Sequence, residues 1–104
     1  VTEANRETAI REELSRAESA LDASLLLAKG GFALDAVSRL YYSLLFRVRA
    51  LLLTDGLEPR SHEGALRLLS MHFVKTGRLE PEASHLFSAS RIRDLIREAG
   101  FSAS

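Results

Sequence analysis

The chain has 104 residues, 14 acidic and 14 basic side chains, no cysteine, and hydrophobic and charged fractions of 46% and 27%. That length supports one small domain with a single core, and the missing cysteine excludes disulfides, cysteine-based zinc sites and thiol catalysis. No run approaches the roughly 18 apolar residues of a membrane span, and the charged N-terminus lacks the apolar core of a signal peptide, so a cytoplasmic location is the default expectation.

A first helix is predicted over residues 6–29. Ile10, Leu14, Ala17, Leu21, Leu25 and Ala28 recur at steps of three and four, while Glu12, Glu13, Arg16, Glu18 and Asp22 fall off that stripe and are expected to face water. Gly30-Gly31 ends it, and so short a link returns the next helix antiparallel. The second helix, residues 32–54, contains neither Pro nor Gly. It carries two apolar faces: Val37, Leu40, Tyr41, Leu44, Val48, Leu51 and Leu52 on one, and Tyr42, Phe46, Ala50 and Leu53 with Arg39 and Arg49 on the other. A helix apolar on two sides belongs in the middle of a bundle or at an interface.

The stretch Asp55-Gly56-Leu57-Glu58-Pro59 stops that helix, and Ser61 is the predicted N-cap of a third over residues 61–75, with Leu66, Leu69 and Phe73 inward. Pro81 suits the first turn of a fourth helix, residues 81–99, whose apolar side is Leu86, Ala89, Ile92, Leu95, Ile96 and Ala99. The expectation is an all-α, antiparallel up-and-down four-helix bundle occupying residues 1–104, dimeric through the two-faced second helix.

Charge is unevenly placed. Residues 1–35 hold four basic and seven acidic side chains, residues 36–78 hold seven basic and three acidic, and 12 of the 14 basic residues are Arg. A basic middle rich in Arg suits phosphate or intersubunit carboxylates as well as an ordinary solvated surface.

The pattern Arg39-x-Tyr41-Tyr42-x-x-x-Phe46, followed by Arg49-Ala50-Leu51-Leu52, a short turn, His62, and Phe73-Val74-Lys75-Thr76-Gly77, resembles the small stand-alone HEPN proteins of prokaryotes. The resemblance covers roughly residues 25 to 80. Arg47 stands where that family commonly has His, and Gly100-Phe101 where it commonly has Asp-Tyr. The resemblance implies a helical bundle, a further helix beyond the fourth, RNA or nucleotide binding, and frequent pairing with a minimal nucleotidyltransferase in toxin–antitoxin systems.

HEPN ribonucleases carry Arg-x(4–6)-His, and this chain has two formal matches, Arg67 with His72 and Arg78 with His85. Chance supplies roughly one such match in a chain of this composition, and Leu68 and Leu79 follow the arginines where the family has polar residues. Three further readings come from the residues themselves. Arg60, Ser61 and His62 open a helix, where free N–H groups attract anions; the alternative is that they only buttress the loop. Arg39, Tyr42 and Arg49 share a face and suit base stacking with phosphate contact; alternatively the tyrosines pack inside and the arginines pair with Glu63, Asp35 or Asp94. Glu82 and His85 have the spacing of a di-iron motif but lack its companions, so no metal and no cofactor is expected. The resulting expectation is a non-catalytic or weakly catalytic module binding RNA, a nucleotide or a nucleotidyltransferase; a metal-independent endoribonuclease and a purely structural dimerisation domain are the alternatives.

Overall fold

The structure, a computed structural model, describes residues 2–78 together with residues 97, 98 and 100. Among these its only regular elements are helices, with no strand. Helix α1 spans Glu3–Lys29. It begins three residues before the expected start because Thr2 caps it, its hydroxyl accepting from the Asn5 N–H at 3.2 Å. At the other end Gly31 takes φ 87°, and the Gly31 and Phe32 N–H groups donate back to Ala28 and Leu27. This pairing satisfies the orphaned carbonyls and turns the chain sharply.

Helix α2, Ala33–Thr54, therefore returns alongside α1. Two buried hydroxyls fix the antiparallel register: Ser24 Oγ donates to the Ala36 carbonyl at 2.8 Å, and Ser43 Oγ to that of Ala17 at 2.9 Å. Ala17, Ala20 and Ser24 on one helix meet Ala36, Ser43 and Ala50 on the other, all buried. Side chains this small let the two backbones approach closely along the whole seam. Helix α2 ends as α1 does, with Gly56 at φ 76° and the Leu57 N–H donating to Leu52.

Helix α3 runs His62–Leu69 and continues as a π-helical turn over Ser70–Val74, where the Lys75 N–H reaches back to the Ser70 carbonyl at 2.9 Å. The expected uninterrupted α-helix to residue 75 is thus replaced in its last turn. The widened turn holds one extra residue and accompanies the complete burial of Phe73. Both ends of this segment are pinned to α2. The His62 ring lies 5.9 Å from that of Tyr42, midway along α2, and Arg78 reaches Asp55, just past its end, at 2.9 Å. Residues 55–61 climb back along α2 before α3 descends; seven residues at about 3.3 Å each cover that distance.

Helix α2 is accordingly the middle element: it touches both α1 and α3, which do not approach each other. The core is Ile10 and Leu14 from α1, Leu45, Val48, Leu51 and Leu52 from α2, and Ala65 and Phe73 from the third segment. All of the α2 contributors come from its second half. Several expectations fail here, and among the described elements α3 reaches only that half. Leu25 and Ala28 of the α1 stripe are exposed, and so are Val37, Leu40 and Tyr41 of α2. Leu66, expected inward, is exposed, and Ala65 takes the core position. Glu13, expected in water, is only 7% exposed. The expected fourth helix falls outside the described residues, save that Arg97 and Glu98 are helical.

Candidate nucleic-acid interface

Steps of three, four and three place Arg39, Tyr42, Phe46 and Arg49 along one side of α2. Tyr42 is the hub. The Arg39 guanidinium carbon sits 5.4 Å from its ring centroid, within cation–π range. Tyr41 and His62 meet it edge-on at 5.8 and 5.9 Å, and Phe46 lies tilted at 6.4 Å. Tyr42 remains 37% exposed, so its ring is partly open to an incoming planar group. The third segment supplies His62 because Ser61 starts the helix there, its Oγ accepting from the Gly64 N–H at 2.9 Å. A Cβ on residue 64 would lie 3.0 Å from that oxygen, which explains the glycine. The Ser61 hydroxyl is thereby engaged in capping, while Arg60 and His62 are exposed beside it.

Arg49 is drawn toward α1. Its Nε lies 3.5 Å from Glu13 Oε2, and Glu13 Oε1 accepts from Arg16 at 3.0 Å. The carboxylate partner expected from Glu63, Asp35 or Asp94 is therefore Glu13 instead. Glu13 Oε2 is buried and makes no hydrogen bond, so this carboxylate is held by charge more than by geometry. Arg47 takes the other flank of α2; its Nη1 donates to Ser43 Oγ at 3.2 Å, and among the described residues no carboxylate pairs with it. Sequence reasoning missed both Glu13 and Arg47. A signal existed for the first: Ile10, Glu13, Ala17, Ala20 and Ser24 step by three and four, with Glu13 inside the stripe.

The Arg–His pairs fare differently. Arg67 pairs with Glu63 at 3.8 Å on the open surface, and among the described residues no hydrogen bond or ion pair joins it to His72. His72 is half-buried, and its carbonyl accepts from the Thr76 hydroxyl. Arg78 holds Asp55 and lies 4.1 Å over the Phe73 ring, tying the end of the third segment to the end of α2. His85, and with it Glu82, lies outside the described residues. No group of three metal-ligating side chains gathers among the described residues. A cleft of about 330 Å³ opens at the far end of the hairpin, lined by Arg6, Glu7, Ile10, Arg11, Thr54 and Gly100, away from the aromatic hub. No helix among the described residues is long and apolar enough to cross a membrane.

The HEPN domain profile matches residues 10–100. The chain is 34% identical over 82 residues to the UPF0332 protein PH1297 of Pyrococcus horikoshii, covering 79% of this chain and 58% of that one. It is 42% identical over 69 residues to MJ0142 of Methanocaldococcus jannaschii, named as a candidate toxin, covering 66% and 47%. A UPF0332 protein of Thermotoga maritima is 40% identical over 73 residues, covering 70% and 55%. The chain thus spans about half the length of these curated relatives. No solved structure matches it.

Proposed function

The chain belongs to the HEPN domain family, and from that premise we propose that it is a toxin-like HEPN module that binds single-stranded RNA or a nucleotide without cleaving it efficiently. It works in the cytoplasm as a homodimer beside a minimal nucleotidyltransferase. The observation that carries the binding part is the open hub: a tyrosine with a guanidinium over its ring, bordered by Phe46 and His62, on the basic stretch of the chain. Base stacking needs an exposed ring, and phosphate contact needs a cation beside it; Tyr42 with Arg39 offers both. Arg60 and His62 extend the cationic edge at the start of α3, and Arg49 bounds it at the other end. The candidate-toxin name of the relative MJ0142 supports the toxin-like setting.

Efficient ribonuclease chemistry needs an arginine and a histidine converging on one phosphate. Arg67 and Arg78 are each paired with a carboxylate, which favours binding over cleavage. Fluorescence titration with a short single-stranded RNA tests the proposal. Tyr42→Ala is expected to weaken binding by about 1–3 kcal/mol, the usual worth of one stacked base. Arg39→Ala is expected to weaken it and to lower the salt slope by about 0.7. An unmodified protein that binds no RNA or nucleotide removes the reading. Cleavage of the same RNA, lost on His85→Ala or His72→Ala, replaces it with the endoribonuclease.

A further inference from the structure

Glu13 lies beside the buried Leu14, one helical turn from Ile10 and Ala17, and only 7% of it is exposed. A carboxylate taken out of water is costly unless cations meet it. Two do. Arg16 donates to Oε1 at 3.0 Å, and Arg49 brings Nε to 3.5 Å from Oε2. The second contact is an ion pair without a hydrogen bond, since Oε2 accepts none among the described residues. Arg49 is therefore held by charge, and its N–H groups are not committed to the carboxylate. Its side chain is 29% exposed, on the strip that carries Tyr42.

The sum of charges decides what this arrangement accepts. Arg16, Glu13 and Arg49 together carry one net positive charge, the complement of a single phosphodiester. A terminal phosphate monoester carries close to two negative charges at neutral pH, and the triad balances only one of them. Repulsion from Glu13 grows in proportion to the charge of the ligand, so a dianion is penalised twice as much as a monoanion. Burial preserves that repulsion: water and salt reach Arg16, whose side chain is 54% exposed, far more readily than Glu13, at 10%. Arg39 is ten residues from Arg49, about 15 Å along the helix and beyond the screening length at physiological salt. Glu13 thus acts on the Arg49 end of the strip.

We propose that Glu13 is a specificity-determining residue of the RNA strip. By holding Arg49 as a half-neutralised cation, it admits the internal phosphodiesters of a single strand and turns away phosphate monoesters, free mononucleotides among them. The inference rests on the binding reading above and narrows its ligand from RNA or nucleotide to the interior of an RNA strand. In this role Glu13 acts through Arg49, without touching the ligand.

Titration of the full chain with two matched ligands tests this: adenosine 5′-monophosphate and its methyl ester, which differ by one negative charge. The unmodified protein is expected to bind the ester more tightly. Glu13→Gln is expected to tighten the ester about 5-fold and the monophosphate about 25-fold, the square, because the charge doubles. A single-stranded RNA with hydroxyl ends should gain about 5-fold as well. Glu13→Met removes the same charge without leaving an amide in the seam, and should give the same ratio even where Glu13→Gln folds poorly by circular dichroism. Adding Arg49→Met to either variant should abolish the gains. Equal gains for the two ligands, no gain for either, or gains that survive Arg49→Met overturn the proposal. A loosened fold would weaken both ligands alike, which also overturns it. If the unmodified protein binds the RNA and the Glu13 variants leave the ratio of the two ligands unchanged, only this inference falls. If it binds neither the RNA nor either ligand, the binding reading falls and takes this inference with it.

Discussion

The two halves of α2 are equally apolar in sequence and opposite in fate. From Ser43 onward Leu45, Val48, Ala50, Leu51, Leu52 and Leu53 are all buried, closed in by α1 on one side and by Ala65 and Phe73 on the other. Before Ser43 only Ala36, in the seam with α1, is buried. The difference lies in what stands across from each half, since the helix itself is continuous. Periodicity tells which side chains share a face but not how far along the helix a neighbour extends.

Large-to-small substitutions at matched apolar positions should break the comparison most sharply. Phe73→Ala, which empties a fully buried position against the second half, is expected to cost about 3–5 kcal/mol in chemical denaturation. Leu34→Ala in the first half should stay within about 0.5 kcal/mol at protein concentrations where the chain is monomeric. Equal losses at the two sites would show that the first half is covered as well. An intermediate effect belongs to Glu13, near the boundary. Glu13→Gln keeps the shape but removes the counter-charge of Arg16 and Arg49, and about 1–2 kcal/mol of stability should go with it. If that loss largely disappears in a variant that also carries Arg49→Met, the pair is responsible; if it persists in full, Glu13 acts by some other contact. A smaller cost than that of Phe73→Ala also falls on the turn that joins the exposed halves. Gly31→Ala meets no atom within 4 Å, so its whole cost is the left-handed backbone, about 1 kcal/mol.

Much of the fold was legible. Gly30-Gly31 announced the antiparallel turn, Ser61 the start of the third helix, and the absence of Pro and Gly from residues 32–54 the long second helix. Those features are local, and local chemistry decides them. The site was legible in part: the spacing of Arg39, Tyr42 and Arg49 gave their common side, and Tyr42 indeed meets both Arg39 and His62. The diversion of Arg49 to Glu13 was hidden, because a glutamate within an otherwise apolar stripe can be read either as a break in the stripe or as a buried charge, and only its neighbour on the other helix decides. The π-helical turn at Ser70–Val74 has no counterpart in apolar periodicity, since it depends on how far Phe73 must reach. The exposure of Val37, Leu40 and Tyr41 was equally invisible, because it depends on where α3 stops.

The seam of alanines and serines between α1 and α2 has a mechanical consequence. Helices that touch through such short side chains have no soft layer between them, and tight packing resists compression and passes strain along. The protruding end of the hairpin therefore behaves as a stiff arm. A clamp or a tug at Gly30 and Gly31 is delivered as torque to Ile10, Leu51 and Phe73 at the other end, so whatever grips that arm also has a handle on the hydrophobic centre.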